Sequence, residues 1–323
     1  MAASQYDAPA TLIIRPARAA DRDAVIAFCR RIWEGNDYVN DEVFDAWLFD
    51  VPGPMLVAEL TGRPVAMGKV AVHSDGHAWF QGLRVDPAMQ GQGIARRMHK
   101  ACEQAAAAVG AAPWALLTAD AGPTAVQRLC DAHGWAIQGR TRYLHLLPEP
   151  AGDTAAAAAG LITLGTDDLP ILQATLLNSP TLAAFGGWYT LDWECEPFTI
   201  DKLHAHLHAS QVWALPDRSA WGIVTVAPPD SDVQDEDEDE TNGAPVTTFT
   251  GGYAWWAFAE GKPPALETLA KAIHQTTCRR QRMELALHVP VATPWDQACR
   301  RTNFWRDPDH APKQFRLYVK SSP

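Results

Sequence analysis

Hydrophobic and polar residues follow two periodicities along this chain, and the switches between them mark its elements. Alternation with period two is typical of half-buried strands, and spacings of three and four residues are typical of one helix face. In the first half the pattern predicts a strand over 11–15, a helix over 19–32, a helix through 44–48, a hairpin over 54–60 and 65–73, a strand over 79–85, a helix from 94, a strand over 114–118, a helix over 124–132 and an extended or hairpin segment over 135–147. The predicted order, β-α-α-β-β-β-α-β-α-β, is a mixed α/β arrangement.

The same order recurs in the second half. It is predicted as a strand over 161–164, a helix from 167, an irregular aromatic stretch to 196, a helix through 203–207, strands over 212–215, 221–227 and 246–258, a helix through 266–273, a strand over 283–289, a helix from 294 and a strand over 314–319. Between the halves, the prolines and alanines over 149–160 are typical of a linker. We therefore predict an internal duplication, with domains at 1–148 and 161–323.

One strand–turn–helix carries the clearest chemical signal. The strand over 79–85 is stopped by Pro87, which has no N–H to donate, and a helix starts at Ile94. The turn between them contains Gly91 and Gly93, which permit left-handed backbone and a close approach of a ligand to the main chain. Free N–H groups and the positive end of the helix dipole complete a site for an anion, most naturally a phosphate or pyrophosphate.

Residue identity separates three phosphate-binding motifs that share this geometry. A Walker A loop ends in Gly-Lys-Ser/Thr, whereas residues 93–95 read Gly-Ile-Ala. A dinucleotide fingerprint has a third glycine where Arg96 stands, and an acidic residue about 20 residues later, where residues 112–114 read Ala-Pro-Trp. The third motif, Gln/Arg-x-x-Gly-x-Gly/Ala after a Val-x-Pro strand end, fits at every position.

That third motif is the signature of the GNAT acetyltransferases, which this chain resembles at Gln90, Gly93 and Ala95. The resemblance implies that the turn amides hold the pyrophosphate of coenzyme A, and that pantetheine lies beside the end of the preceding strand. The implied cofactor-binding residues are Leu83, Arg84, Val85, Gln90, Gly91, Gln92, Gly93, Ile94, Ala95 and Arg96.

Short segments elsewhere resemble the histidine N-acetyltransferase-type family, namely Gly35-Asn36-Asp37-Tyr38, Gly82-Leu83-Arg84-Val85, Asp192-Trp193 and Glu196-Pro197-Phe198. That family couples a catalytic N-terminal GNAT domain to a degenerate C-terminal one. The resemblance implies tandem GNAT domains and acetyl-CoA-dependent acetylation of a small amino compound, such as an amino acid like histidine, by direct transfer. The chain departs from the pattern at Gln81, where family members carry a carboxylate. It also has Pro123 and Cys130 where many GNAT enzymes place Asn and the Tyr that acts as acid.

The turn of the second copy cannot hold a pyrophosphate in the same way. Residues 259–264 read Ala-Glu-Gly-Lys-Pro-Pro, in which the two prolines lack N–H groups and Glu260 repels an anion. One active centre per chain is therefore predicted.

Acyl transfer to an amine requires a base, donors for the oxyanion and a tolerable thiolate leaving group. Backbone N–H groups near Val85 are the candidates for the oxyanion site. Asp37 or Glu34 is the candidate base, with a turn or cap role as the alternative for Asp37, and Gln81 is placed to position a water. Tyr38 is a candidate acid or a pocket wall.

The other candidates for acid–base roles are His73, Cys130 and Tyr143. Arg96 and Lys100 are candidates for contacts to the phosphates of coenzyme A, with a solvated helix face as the alternative for Lys100. Asp192 and Trp193 are predicted to bind the acceptor, through charge and stacking. His204, His206 and His208 are predicted to lie on exposed helix surface, and no metal is expected.

Composition and charge narrow the classes of molecule that this protein is expected to bind. The 323 residues carry a formal charge of −11, of which eight acidic residues between 230 and 240 supply −8 as a predicted solvated loop. Because the chain lacks a basic face, no nucleic-acid partner is expected. It has no membrane-spanning apolar run, no secretory signal and six widely spaced cysteines. We expect a cytoplasmic monomer or homodimer with reduced thiols, acting on a small-molecule amine.

Two alternatives stay open from the sequence. One is a protein or peptide N-acetyltransferase, which would need an open groove for its acceptor. The other is an acyl-CoA-binding sensor that does not turn over, which the missing tyrosine acid keeps open.

Overall fold

The computed structural model describes residues 11–35, 37–122, 124–148, 160–227, 252–281, 283–302 and 313–321. The chain divides into two compact units, each built from more than one stretch of sequence. Unit 1 contains 1–116, 123–136 and 318–323, and unit 2 contains 117–122 and 137–317. The predicted linker, apart from Gly160, and the predicted acidic loop lie outside the described residues.

Unit 1 is a mixed sheet with helices on its two faces. Its elements are β1 (Ile13–Pro16), α1 (Arg22–Cys29), α2 (Asp41–Asp45), β2 (Met55–Leu60), β3 (Arg63–Val72), β4 (Ala78–Val85), α3 (Ile94–Ala108), the start of β5 (Trp114–Ala119) and α4 (Ala125–Ala132). The strand order is β1-β2-β3-β4-β5, antiparallel except for the parallel pair β4–β5. A π-helical turn, Ala46–Asp50, extends α2.

Alternating side chains of the central strands pack into two separate hydrophobic cores in unit 1. Leu56 and Ala66 pack in a cluster with Ile94 and other residues of α3. Their strand neighbours Val57 and Met67 pack in a cluster formed with α1 and α2. Period-two patterning thus buries both faces of the sheet, and each fully buried large side chain contributes about 1.5–3 kcal/mol.

Unit 2 is built on a second mixed sheet and a separate hairpin. Its elements are β6 (Ala136–Leu146), β7 (Ile162–Thr163), α5 (Leu169–Leu176), α6 (Pro180–Ala184), β8 (Trp188–Leu191), β9 (Glu194–Pro197), α7 (Ile200–His208), β10 (Val212–Ala214), β11 (Ala220–Ala227), β12 (Tyr253–Gly261), α8 (Pro263–His274), β13 (Glu284–Pro290), α9 (Pro294–Arg301) and most of β14 (Gln314–Lys320). The sheet order is β14-β6-β13-β12-β11-β10-β7, and β8 pairs with β9.

The mixed α/β fold class is confirmed, and the secondary structure departs from the predicted pattern mainly at one place. The stretch expected to be irregular up to residue 196 contains the short helix α6 and the hairpin β8–β9, so that prediction was wrong. The hairpin turns at Asp192, which adopts φ +55° without a glycine. Aspartate is among the few non-glycine residues that tolerate this region, so the turn carries no glycine signal.

The unit boundaries differ from the predicted domain boundaries at two strands. Strand β6, expected at the end of the first domain, pairs with β13 from Leu146↔Leu285 to Thr141↔Pro290 and belongs to unit 2. The end of β14, residues 318–320, belongs to unit 1, where Tyr318 packs in the core with α3 and α4. Pairing between strands so distant in sequence leaves no local pattern.

Candidate functional site

The turn between β4 and α3 is fixed at its entry by Asp86. This buried residue donates its N–H to the Val65 carbonyl at 2.8 Å. Its carboxylate accepts the Ala88 N–H at 3.0 Å and an Arg31 guanidinium N–H at 2.8 Å. Asp86 therefore ends the strand and starts the short 3-10 turn Pro87–Met89 in a defined direction.

Beyond that turn the backbone exposes a row of donors. Gly91 and Gly93 adopt φ +78° and +75°, in the left-handed region that favours glycine. Within the described part of the chain, the N–H groups of residues 91–96 donate to no acceptor, while Arg97 makes the first bond of α3, to the Gly93 carbonyl at 3.2 Å. Six adjacent free donors at the positive end of a 15-residue helix have the geometry that suits an anion.

Basic side chains flank these donors. Arg96 and Lys100 are exposed on α3, and neither has an acidic partner among the residues that the structure describes. Two uncompensated cations one helical turn apart are suited to the phosphates of a nucleotide ligand.

Strands β4 and β5 separate beside this turn. Their parallel pairing is limited to Ala78↔Trp114 and Trp79↔Ala115, although β4 continues to Val85. A bulge lies in the unpaired part, where two residues of β4, 82 and 83, face the single Gly68 of β3. The bulge and the lost pairing leave the β5-side edge of β4 available to an extended ligand.

The Val85 amide lies on that open edge. Because Asp86 directs its N–H to β3, and successive residues of a strand point to alternate edges, the Val85 N–H points toward the β5 side. The predicted oxyanion donor is therefore free to bind a ligand atom.

Asp37 and Arg84, both predicted site residues, form a buried ion pair. The Arg84 guanidinium donates to both oxygens of Asp37, at 2.6 and 3.0 Å, and the two side chains are 10% and 1% exposed. The guanidinium carbon also lies 4.5 Å from the Trp33 ring centroid and 5.0 Å from that of Tyr38. The pair ties the loop between α1 and α2 to β4, and both carboxylate oxygens of the candidate base are occupied by Arg84.

Two further predicted site residues lie at β4: Tyr38 packs against Arg84, and Gln81 is part of the strand itself. Tyr38 is 53% exposed overall, but desolvation around its hydroxyl raises the pKa of that group, and its ring contacts Trp47 edge-on at 6.1 Å. Gln81 is half-buried in β4, and its side-chain amide makes no hydrogen bond to any described residue. Gln81 is thus available to a water or ligand.

The other acid–base candidates are placed away from such a role. Cys130 is buried in the core under α4, and burial raises the pKa of its thiol to about 12. His73 stacks on His77 with ring centroids 4.1 Å apart. Tyr143 belongs to unit 2, where its ring packs against Trp193. Glu34, Asn36 and Pro123 have side chains outside the described part of the structure.

Lys69 is a site-shaping residue that the sequence reasoning missed. Its ammonium, 1% exposed, donates to the carbonyls of Trp47, Val51 and Gly53 at 2.8, 2.6 and 2.8 Å. It holds the segment after α2 against β3, opposite Gln81. A lone lysine in the apolar run 65–72 was the available signal.

One group in the described ranges has metal-ligand geometry. Ligand atoms of His99, Glu103 and His133 lie within 4.8 Å of one another. However, Glu103 already accepts N–H groups from His133 at 2.9 Å, Trp135 at 2.8 Å and Lys320 at 3.0 Å. Because the Lys320 ammonium supplies a cation beside this carboxylate, Glu103 is satisfied by an ion-pair network, whereas His99 Nε2 has no hydrogen-bond partner among the described residues.

The corresponding turn of unit 2 has no row of donors. Helix α8 begins with Pro263 and Pro264 in its first turn. Glu260 is buried and bonded to the Ser179 hydroxyl and to the Gly261 N–H at 3.1 Å. These contacts agree with the view that this turn cannot hold a pyrophosphate.

The three histidines of α7 do not share one environment. His204 and His208 are exposed, as predicted. His206 is buried between the Tyr189 hydroxyl at 3.0 Å and the Gln211 side-chain oxygen at 2.7 Å, so its predicted exposure was wrong. Helical spacing turns His206 inward with Leu203 and Leu207.

Comparisons with known proteins agree with this geometry. Residues 22–135, which include the whole strand–turn–helix, match the model of the Acetyltransferase (GNAT) family. No curated protein matches the chain. Among solved structures, a GCN5-related N-acetyltransferase from Sphaerobacter thermophilus is 14% identical with a TM-score of 0.57, covering 97% of this chain and 96% of that one.

Two further structures share the fold over nearly the full chain. A putative acetyltransferase from Thermoplasma acidophilum is 12% identical with a TM-score of 0.54, covering 96% of this chain and 99% of that one. A GCN5-related glucosamine N-acetyltransferase region in a fungal multi-domain GH3 β-N-acetylglucosaminidase is 14% identical with a TM-score of 0.56, covering 97% of this chain and 38% of that one.

The fold and the turn together define an acyltransferase. The segment 22–135 matches the GNAT acetyltransferase family, whose enzymes transfer an acetyl group from acetyl-CoA. Acetyl-CoA, predicted from the sequence, is confirmed as its acetyl donor at the level of the family. No helix in the described ranges is both long and apolar enough to cross a membrane.

Proposed function

We propose that this protein transfers the acetyl group of acetyl-CoA directly to the amine of a small molecule, with amino acids such as histidine as the first compounds to test. The single observation that carries the proposal is the row of free backbone donors at 91–96 beside the open edge of β4. One active centre per chain follows, because the turn of unit 2 is blocked by prolines and Glu260.

The residues present fit the donor. The backbone N–H groups of 91–96 would hold the pyrophosphate, with Arg96 and Lys100 on the phosphates. Gly91 and Gly93 leave this surface open, since a Cβ built on Gly91 meets no atom within 4 Å. The edge of β4 from Leu83 to Val85 would pair with the amides of the pantetheine arm. When bound, acetyl-CoA supplies the activated acetyl group.

The chain contributes charge stabilisation and positioning to the chemistry. The Val85 N–H points to the open edge, where it would donate to the acyl oxygen as negative charge develops; such a donor contributes about 3 kcal/mol to the transition state. Gln81, whose side chain makes no hydrogen bond to any described residue, would position a water that relays the ammonium proton to bulk solvent. Asp37 would act through Arg84, by fixing β4 and the loop beside it, rather than as the base.

Binding of the donor is tested by calorimetry with coenzyme A and acetyl-CoA. Gly91→Val and Gly93→Val should each weaken binding at least tenfold, because the side chain fills the anion site. Gly110→Val is the matched control, since Gly110 has φ +73° and open space at the opposite end of α3. Equal affinity in all three variants would overturn the proposed site.

Turnover is tested by thiol release from acetyl-CoA against amino acids including histidine, polyamines, aminoglycosides and peptides. Release with a small amine supports the proposal, and release only with peptides supports a protein acetyltransferase. The occupied carboxylate of Asp37 and the buried thiol of Cys130 favour a second candidate, a sensor that binds acyl-CoA without turnover. Tight binding without release for every acceptor would establish the sensor.

A further inference from the structure

Unit 2 carries a cluster of aromatic rings at the tip of the hairpin β8–β9. The Trp193 ring centroid lies 4.6 Å from that of Tyr143, 5.2 Å from His288 and 5.8 Å from Phe315. Those three residues come from the neighbouring strands β6, β13 and β14. Trp193 is nevertheless 45% exposed, so one part of the indole packs on the sheet and another part faces solvent.

The hairpin that presents Trp193 is rigidly attached. The Trp255 indole N–H donates to the Thr190 carbonyl at 2.9 Å, and the Tyr189 hydroxyl bonds to buried His206 at 3.0 Å. A large aromatic residue is thereby held on a fixed turn. Such a residue is well suited to stacking on a ligand, because little side-chain entropy remains to be lost.

An uncompensated carboxylate lies next to this indole. Among the acidic residues of the neighbourhood, Glu196 pairs with Lys202 at 2.6 Å and Glu284 with His145 at 2.6 Å. Asp192 has no basic partner in the part of the chain that is described, although it occupies the left-handed turn position beside Trp193. Its carboxylate accepts the Trp193 backbone N–H and has no positive charge paired with it among the described residues, and a carboxylate near exposed aromatic rings attracts an organic cation.

A buried polar atom points to the same kind of ligand. His288 is 1% exposed, and its Nδ1 lies 2.9 Å from the Thr141 hydroxyl, whereas its Nε2 has no hydrogen-bond partner. When Nδ1–H donates to Thr141, Nε2 is left as an unpaired acceptor on a ring that meets the Trp193 ring edge-on. Burial lowers the pKa of His288 to about 3, so the imidazole stays neutral and does not repel a cation.

We propose that the surface formed by Trp193, Tyr143, Phe315 and Asp192 binds a small organic ammonium compound with an aromatic or apolar body. The rings would contact the body and the cation, and the Asp192 carboxylate would pair with the charge. The inference rests on the proposed function in one respect, namely that amines of this class are the acceptors that the acetyl transfer would consume.

The probe is 2-phenylethylammonium, titrated into the full chain without acetyl-CoA and followed by tryptophan fluorescence and calorimetry. Neutral 2-phenylethanol is the isosteric control ligand. We expect the ammonium compound to bind at least tenfold more tightly than the alcohol. Asp192→Asn should abolish that preference, and Trp193→Leu should weaken both ligands at least tenfold.

The variants are chosen so that folding does not obscure the result. Asparagine tolerates the φ of +55° at position 192, so Asp192→Asn keeps the turn. Asp201→Asn removes an equally exposed charge on α7 and should change nothing. Equal affinity for alcohol and ammonium, or an unchanged preference in Asp192→Asn, would overturn the inference. Affinity for acetyl-CoA, measured in parallel, should be the same in all these variants, so failure of the proposed function would be recognised separately.

Discussion

The guanidinium of Arg84 grips the carboxylate of Asp37 through two hydrogen bonds, at 2.6 and 3.0 Å, across 47 residues of sequence. Burial disfavours the charge of Arg84, but the bonds from Asp37 and Tyr38 outweigh it, so the net effect is a raised pKa for the guanidinium. The guanidinium therefore stays charged, and the ion pair links the loop after α1 to the strand that carries Val85.

Removing one partner of this ion pair should lower the free energy of unfolding more than removing both partners. Asp37→Ala leaves a buried, unpaired guanidinium, and we expect a loss of about 3–5 kcal/mol in the free energy of unfolding, read from denaturant titrations. The double variant Asp37→Ala with Arg84→Met should lose less than Asp37→Ala alone. If the two variants were equally stable, Arg84 would not depend on Asp37.

A second close relationship joins Gly82 to Trp47. Gly82 has φ +65°, and a Cβ at this position would overlap the Trp47 ring. Gly82→Ala should lower the free energy of unfolding by roughly 2–4 kcal/mol, from backbone strain and from displacement of the ring. Gly62→Ala is the matched control, because Gly62 has φ +81° but open space around it, and it should lose only about 1 kcal/mol. Equal losses would show that the Trp47 contact carries no energy.

These contacts show where sequence reasoning ends. The turn after β4 was predictable because Pro87, Gly91 and Gly93 act locally, through a missing donor and through permitted backbone angles. The bulge at Gly82 could not be predicted, because it depends on the register of β4 against β3. The ion pair between Asp37 and Arg84 could not be predicted either, since residues distant in sequence meet only in the folded chain.

The strands at the unit boundaries show the same limit on a larger scale. Periodicity predicted an extended or hairpin segment at β6 and a strand at β14, both with nearly correct ends. The partners of a strand are set by topology, so their assignment to units followed the order of the chain and missed the pairing of β6 with β13. At the hairpin β8–β9 the left-handed turn position is occupied by Asp192 and not by glycine, so the sequence gives no glycine signal for the turn.

Lys69 supports the segment 46–53 through three carbonyl groups. Lys69→Met keeps the length of the side chain but leaves buried acceptors without a donor, each costing about 1–3 kcal/mol. We expect lower stability and, in hydrogen–deuterium exchange, faster exchange confined to residues 46–53. Lys271→Met, at an exposed position of α8, should change neither quantity. Uniformly faster exchange across unit 1 would contradict the local role.

His288 predicts how stability responds to acid. Burial alone lowers its pKa to about 3 in the folded chain, against 6.5 ordinarily. The unfolded chain therefore binds a proton at His288 as the pH falls below 6.5, while the folded chain does not. The contribution of His288 to the unfolding free energy is therefore at its full value above pH 6.5 and falls progressively toward pH 3, by about 5 kcal/mol.

His288→Gln removes this titration and retains a polar partner for Thr141, so its unfolding free energy should fall less steeply between pH 6.5 and 3 than that of the native chain. His204→Gln, at an exposed position of α7, is the control and should follow the native curve. Denaturant titrations at half-unit pH steps measure both slopes. Parallel curves for His288→Gln and the native chain would mean that the imidazole is protonated in the folded state, and a charged His288 would then oppose the binding of an ammonium compound beside Trp193.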